Sequence, residues 1–347
     1  MNNLDFINPI CFSHSADFDG MCSAALVRKY FNNEVEIYPI DYSDKEAKSF
    51  AALSESVKLK KRTVIICDFS FNPRMMREIA DAAREVIWLD HHASAVADIT
   101  KTKWFNEYIT TTPEKPAKIS GLWIADEGVP FSGAYLTWAY FYNESRFASF
   151  DEFLKAPEIV KNISIYDTWC FANLDEKIFL TKFQYGMKAA GLTFDTVEWW
   201  NSLLSDIESV GTTYDEINMK ENLITMINEY GNGVYNFNLN NQFAHINKAA
   251  YPVKIKVNGK NLKGLALNVN GYNSEIFESI YDPEKTDFFI KYYYNKDHWS
   301  YSVYVPDDKR DKVSAVDIVR SFDPERGGGH NGAAGGNSDK LISELVK

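Results

Sequence analysis

Apolar residues in the first hundred positions fall into short unbroken runs separated by stretches of helical period. Residues 9–13, 34–40, 63–67 and 86–89 read as strands, and the continuous TVIIC run at 63–67 suits a strand buried on both faces. Residues 21–31 read as a helix with small and apolar side chains on one side. Residues 73–84 read as another, with Pro73 acceptable in its first turn. Strand and helix alternating in this way predict a mostly parallel sheet covered by helices, with right-handed connections. Further on, residues 133–142, 150–166 and much of 194–230 carry helical patterns, and Gly231, Asn232 and Gly233 are expected to break the last of them. Strand-like runs follow at 253–257, 264–269, 288–294 and 299–305. The expected architecture is α/β. An N-terminal, mostly parallel sheet flanked by helices fills residues 1–200, a helical connector fills 201–235, and a smaller C-terminal α/β domain fills 236–347.

Length and charge narrow the function. A chain of 347 residues suits about two domains. The formal net charge of -11 argues against a broad basic surface for long nucleic acid, because non-specific affinity comes from Lys and Arg neutralising phosphates. A local cationic site is still allowed, and metal ions can supply positive charge that side chains lack. Cys11, Cys22, Cys67 and Cys170 show no CxxC spacing, which fits thiols in a reducing compartment rather than a disulfide framework or zinc site. The N-terminus lacks the basic head and long apolar run of a signal peptide. No segment approaches the roughly 20 apolar residues that span a bilayer. The expectation is a cytoplasmic protein without a membrane partner.

Candidate chemistry gathers at the ends of the expected strands. His14, Ser15, Ala16, Asp17, Phe18, Asp19 and Gly20 form a loop between a strand and a helix, where ligands bind in open α/β sheets. Asp17 and Asp19 are two apart and project the same way if extended, and Gly20 permits a tight turn. Crowded carboxylates repel, and a cation relieves this, although a simple helix cap also accounts for Asp here. Asp68 follows the buried TVIIC run. Asp90, His91 and His92 follow VIWL, and adjacent imidazoles beside a carboxylate at a strand end are uncommon. Asp167 ends an apolar helical stretch. Oxygen-rich ligation with an imidazole or two suits Mn²⁺ or Mg²⁺, with Co²⁺ admissible. Two such ions about 3.5–4 Å apart can activate water and stabilise the leaving oxygen of a phosphoester. Asp68, from a central strand, is the candidate bridge. Near the C-terminus, Gly327, Gly328, Gly329, His330, Asn331 and Gly332 precede Ala333, Ala334, Gly335 and Gly336. Successive glycines can form a loop whose N–H groups cradle an anion, with His330 adding a hydrogen bond.

Five motifs in order, SHSADFDG, ICDFS, LDHH, IYDTW and GGGHNGAAGG, resemble the DHH phosphoesterase superfamily with its associated C-terminal domain, in particular its oligoribonuclease-like members. The resemblance covers nearly the whole chain. It implies that His14, Asp17 and Asp68 hold one metal and that Asp19, Asp68, His91 and Asp167 hold the other, with Mn²⁺ the foremost ion. It further implies that His92 contacts the phosphate, that Asp90 orients the histidines, and that Gly327, Gly328, Gly329 and His330 grip the substrate end. Two departures stand out. His14 precedes Asp17 by three residues rather than two, so either the chain bulges there or Ser15 takes the position. Tyr304 stands where many relatives carry a phosphate-holding Arg; Tyr lacks a cationic fork but can stack on a base or bond a phosphate, and Arg326 beside the glycines is the candidate compensation. Phe18, Tyr304 and Trp169 are candidates for base stacking or for ordinary packing.

The expected function is a metal-dependent phosphodiesterase that cleaves short oligonucleotides or linear and cyclic dinucleotides by two-metal activation of water. A pyrophosphate, polyphosphate or 3′-phosphoadenosine phosphate hydrolase is the alternative enzyme. A nucleotide-binding module that has lost catalysis is the alternative from another class. No long duplex is expected as a partner, and a homodimer is compatible with the sequence.

Overall fold

The computed structural model describes residues 6–110, 117–126, 128–206, 214–270, 272 and 274–342. The chain divides into two compact units, one ending at Tyr235 and the other beginning at Asn236.

The first unit is built on a five-stranded parallel sheet. Its strands are β1 (Ile10–His14), β2 (Glu36–Ile40), β3 (Thr63–Cys67), β4 (Glu85–Asp90) and β5 (Ile119–Trp123), in the order β2-β1-β3-β4-β5. Every residue of β1 and β3 is buried. Alternate side chains divide between two cores. Cys11, Ile65, Cys67, Ile87 and Leu89 point into one, and Ile10, Phe12, Val64, Ile66, Val86 and Trp88 into the other. Helices cover both faces, which is why these strands are apolar throughout rather than alternating. In this strand order the chain leaves β1 in opposite directions for β2 and β3. A crevice therefore opens at the carboxyl ends of β1 and β3, the topological switch point where open α/β sheets bind ligands.

Two helical expectations are corrected. The segment expected as one helix over 150–166 is two, Phe150–Phe153 and Glu158–Asp167, with Pro157 capping the second. Proline disfavours helical backbone in the residue before it, so Ala156 cannot continue the first. Conversely, Gly231, Asn232 and Gly233 break nothing: helix Tyr214–Ala249 runs through them. Its glycine serves packing. A Cβ on Gly231 would lie 2.0 Å from the Lys182 carbonyl oxygen, and one on Gly186 would lie 1.9 Å from that of Ile227. The backbones of this helix and of helix Leu174–Ala190 touch at these glycines, and a tertiary contact overrides weak local propensity. Residues 207–213 of the expected connector lie outside the described residues. Gly186→Ala should therefore lower the urea midpoint. The methyl gains about 1 kcal/mol of helix propensity, but overpacking against backbone costs about 1–3 kcal/mol; an unchanged or raised midpoint would refute the contact.

The second unit carries a six-stranded sheet. Its strands are β6 (Tyr251–Val257), β7 (Lys260–Asn268), β8 (Phe288–Asn295), β9 (His298–Tyr304), β10 (Gly328–Gly329) and β11 (Ala333–Ser338), in the order β10-β11-β9-β8-β7-β6. Only β7 and β8 pair in parallel. Here the glycine-rich segment, expected as a loop, is a hairpin. Gly328 pairs with Gly335 and Gly329 with Ala334, and the His330 N–H donates to the Ala333 carbonyl at 2.7 Å across the turn. Several glycines are spent on packing. A Cβ on Gly327 or Gly336 would come within 2.7 or 2.5 Å of Val319 Cγ1, on the helix Ala315–Arg320 that covers this sheet. No helix among the described residues is long and apolar enough to cross a membrane.

Candidate metal centre

The loop after β1 is fixed by its own sequence. His14 closes the strand, and the Ser15 N–H donates to the Ile40 carbonyl at 2.9 Å, turning the chain. Asp17 caps helix Phe18–Tyr30, its Oδ1 accepting from the Gly20 N–H at 3.1 Å, which leaves Oδ2 3.3 Å from His14 Nδ1. Cap and candidate ligand, left open by the sequence, are thus compatible in one side chain. Gly20 is required because a Cβ there would sit 2.0 Å from the His14 carbonyl oxygen. It is His14 rather than Ser15 that this turn brings beside Asp17 and Asp68.

Asp19, in the first turn of the same helix, is gripped from another element. Its Oδ1 accepts from Ser132 Oγ at 2.5 Å and from the Ala134 N–H at 2.9 Å, and its Oδ2 from the Gly133 N–H at 2.7 Å. Ser132 is the N-cap, and the two backbone donors are the first N–H groups of helix Gly133–Phe141, which lack partners within the helix and favour a negative charge. Gly133 is also the closest approach to the site, since a Cβ there would meet Asp68 Cβ at 2.4 Å and Asp19 Oδ2 at 2.9 Å.

Asp68 sits at the end of β3 in left-handed backbone, φ 52°, with its N–H donating to the Leu89 carbonyl at 2.8 Å. Asp tolerates this conformation better than most residues. Its two oxygens face different neighbours. Oδ1 is 3.2 Å from His91 Nε2, and Oδ2 is 3.7 Å from His14 Nδ1. His91 Nε2 is ringed by carboxylates, with Asp167 Oδ2 at 3.2 Å and Asp19 Oδ2 at 3.6 Å besides Asp68. Asp90 works on the histidines. Its Oδ1 accepts from the His91 N–H at 2.8 Å, the His92 N–H at 3.2 Å and His92 Nδ1 at 2.7 Å, and its Oδ2 accepts from Ser70 Oγ. Ser70 Oγ in turn accepts from Trp88 Nε1 at 3.0 Å.

His14, Asp19, Asp68, Asp90 and His91 are each at least nine-tenths buried, so their charges must be compensated. Burial alone would lower the His14 and His91 pKa values. The carboxylates around them, Asp17 and Asp68 for His14 and Asp167 and Asp68 for His91, outweigh it and raise both well above the ordinary imidazole value. Burial and the charge of Asp68 push Asp19 up, and burial pushes Asp167 up against the pull of His91. Burial would also raise Asp68, but His14 and His91 hold it far below the usual carboxylate range. The raised His14, His91 and Asp19 report a dense negative cluster that draws positive charge to itself, and the depressed Asp68 is the carboxylate on which the two imidazoles bear. Three sets within it, His14 with Asp17 and Asp68, Asp19 with Asp68 and His91, and Asp68 with Asp90 and His92, have the donor types and spacing to hold a metal ion, and the third is already tied up by the Asp90–His92 hydrogen bond.

Some contributors left little trace in the sequence. Ser132, Gly133 and Ala134 read as an ordinary helix start, and nothing local connects them to Asp19. Asp41 directly follows β2, and the strand-end rule used for Asp68 would have flagged it; its Oδ2 lies 3.9 Å from His14 Nε2. The residues expected in the second unit are placed less freely than the sequence suggested. Arg326 is committed to Asp323, with Nε 3.2 Å from a nearly buried carboxylate that also accepts the Asn337 N–H at 2.7 Å. Tyr304 lies in β9 with its ring 6.3 Å from that of Phe277, and burial pushes its hydroxyl up to about 12. Trp169 packs in a ring cluster with Tyr166 and Phe171 and lies under Lys177, and Phe18 packs against the core beside β1.

Residues 9–131 match the family model described as "DHH family, N-terminal domain". That match identifies residues 9–131, in the first unit, as a DHH-family N-terminal domain. An uncharacterised protein of Acanthamoeba polyphaga mimivirus is 24% identical over 188 residues, covering 52% of this chain and 38% of that protein, so the chain spans well under half of that relative's length. Among solved structures, the pGpG-specific phosphodiesterase PggH from Vibrio cholerae is 14% identical, covering 95% of this chain and 93% of that one, with a TM-score of 0.41. Exonuclease RecJ bound to manganese is 14% identical over 94% and 85% of the two chains, TM-score 0.44. An exopolyphosphatase-related protein from Bacteroides fragilis is 12% identical over 97% and 88%, TM-score 0.43.

Proposed function

We propose that this protein is a metal-dependent phosphodiesterase that cleaves short oligonucleotides or dinucleotides to mononucleotides. The observation that carries the reading is the orientation of Asp68: one buried carboxylate presents each of its oxygens to a different set of candidate ligands. The cluster fits divalent cations on its own evidence. His14 Nδ1 and Asp68 Oδ2 are buried and have no hydrogen-bond partner among the described residues. Two ligands each about 2.1 Å from one ion lie no more than about 4.2 Å apart, and the 3.3 and 3.7 Å separations of His14 from Asp17 and Asp68 and the 3.2–3.6 Å separations of His91 from Asp68, Asp167 and Asp19 all satisfy that limit.

His14, Asp17 and Asp68 would hold one ion, and Asp19, Asp68, His91 and Asp167 the other. Mixed imidazole and carboxylate donors favour Mn²⁺, with Mg²⁺ or Co²⁺ as weaker candidates. When bound, the pair supplies Lewis-acid stabilisation and lowers the pKa of an attacking water. The chain's own residues do the rest. Asp90 fixes the His92 tautomer with the proton on Nδ1, which orients the ring for a substrate phosphate. The helix start at Gly133 fixes the position of Asp19 through its N–H donors. Asp19, Asp68, Asp90 and His91 are buried, so contacts among them are stronger than they would be in solvent. The second unit, with His330 in its hairpin turn, is assigned to gripping the substrate end. A substrate of few phosphates suits a chain of net charge -11 better than a long polyanion does.

The test is turnover of a dinucleotide, a five-nucleotide strand, a cyclic dinucleotide, pyrophosphate and bis-phosphorylated adenosine, each with Mn²⁺ and again in excess chelator. Cleavage of the dinucleotide or short strand that vanishes in chelator and returns with Mn²⁺ is expected. Undiminished turnover in chelator would remove the metals from the mechanism, and cleavage of pyrophosphate alone would reassign the enzyme to phosphoanhydrides.

A further inference from the structure

The outer hairpin of the second sheet carries a basic surface that the hydrolytic site does not use. Between Tyr251 and Asn268 the chain holds Lys254, Lys256, Lys260 and Lys263 and no acidic residue, in a protein whose acids outnumber its bases by 48 to 37. The β6–β7 register sorts these residues by face. Val253, Ile255, Val257 and Leu262 enter the core. On the other face Pro252 stands opposite Leu265, and Lys254 stands directly opposite Lys263.

Like charges set directly across a strand pair are destabilising. Lysines on an edge strand commonly discourage pairing with other chains, and β6 is an edge. That accounts for Lys254 but not for Lys263, which lies on β7, between β6 and β8. Neither lysine has an acidic partner within ion-pair distance among the described residues. A third, Lys285, reaches the same place from the segment before β8, paired at 2.7 Å with Asp282 and 80% exposed. The three surround an open groove of about 830 Å³ whose walls include Pro252, Leu265 and Ile280.

We propose that this groove binds single-stranded oligonucleotide, with phosphates on Lys254 and Lys263 and a base against the apolar wall of Pro252, Leu265 and Ile280. The volume falls within the roughly 300–1,000 Å³ of small-ligand sites, room for a short stretch of single strand and not a duplex. The combination of paired cations and apolar wall matches a phosphate chain bearing bases better than it matches a bare polyanion.

The experiment is fluorescence anisotropy of a labelled eight-nucleotide single strand with the full chain in excess chelator, for wild type and for Lys254→Glu combined with Lys263→Glu. Both residues are exposed, and a thermal melt verifies that the variant folds. Charge reversal is expected to weaken binding about tenfold or more, and to flatten the slope of log affinity against log salt by about 1.4, since each single-strand phosphate contact contributes about 0.7. Unchanged affinity and slope would overturn the proposal. So would a poly-glutamate peptide that binds wild type as tightly as the oligonucleotide does, because the groove would then be an acidic-peptide site. Because no turnover is read, a failure of the phosphodiesterase assignment appears separately, as intact binding without cleavage.

Discussion

Asp68→Asn should lower turnover by at least about a thousandfold and release both cations while leaving the fold intact. The side chain is isosteric, and Asn adopts the left-handed backbone of this position as readily as Asp, so the N–H to the Leu89 carbonyl at 2.8 Å survives. What disappears is the negative charge between the His14 and His91 sets. Partners one layer behind a metal ligand already cost about 10–100-fold when removed, and a shared ligand belongs to both ions at once. Asp68→Ala removes the same charge but adds backbone strain, so Asn is the cleaner variant. Equilibrium dialysis with Mn²⁺, read beside single-turnover kinetics, should show occupancy and rate falling together. Wild-type occupancy with a slow rate would move Asp68 from bridging to some other role.

The second large effect should come from a residue with no functional group. A methyl at Gly133 would stand 2.4 Å from Asp68 Cβ and 2.9 Å from Asp19 Oδ2, distances that packed atoms do not tolerate. Gly133→Ala must therefore push helix Gly133–Phe141 away from Asp19, or push Asp68 off its position. Helix propensity returns about 1 kcal/mol, less than the upper range of overpacking costs of about 1–3 kcal/mol. The larger consequence is geometric, since both candidate ion sets contain Asp68 and one contains Asp19. Calorimetric Mn²⁺ affinity should fall by about a hundredfold, comparable to the strongest losses from supporting residues. Ser132→Ala, which deletes one of three donors to Asp19, should cost less. Gly133→Ala with normal affinity and normal melting would show that the helix start does not support the site.

The sheet and much of the cluster were legible because both obey short-range rules. Continuous apolar runs such as TVIIC mark strands buried on two faces, and polar residues placed directly after them must lie at the carboxyl edge. That reasoning reached His14, Asp17, Asp19, Asp68, Asp90, His91 and His92, all of which the structure gathers in one place. It also reached Asp167, at the end of helix Glu158–Asp167. It missed Ser132, Gly133 and Ala134 because their partner, Asp19, is more than a hundred residues away and no local pattern encodes the meeting. The glycines were misread for a related reason. Gly231 looks like a chain breaker, and Gly327 and Gly336 look like parts of a cradling loop, yet each lacks a side chain because another backbone or a Val319 methyl occupies that space. Arg326 is a candidate cation on sequence proximity alone, and its pairing with Asp323, three residues back, is decided by the local turn.

The most direct measurement is anomalous diffraction at the manganese edge from crystals grown with Mn²⁺. The account requires two peaks, one against each carboxylate oxygen of Asp68, the first also within reach of His14 and Asp17 and the second within reach of Asp19, His91 and Asp167. A single peak, or manganese bound away from Asp68, would contradict it.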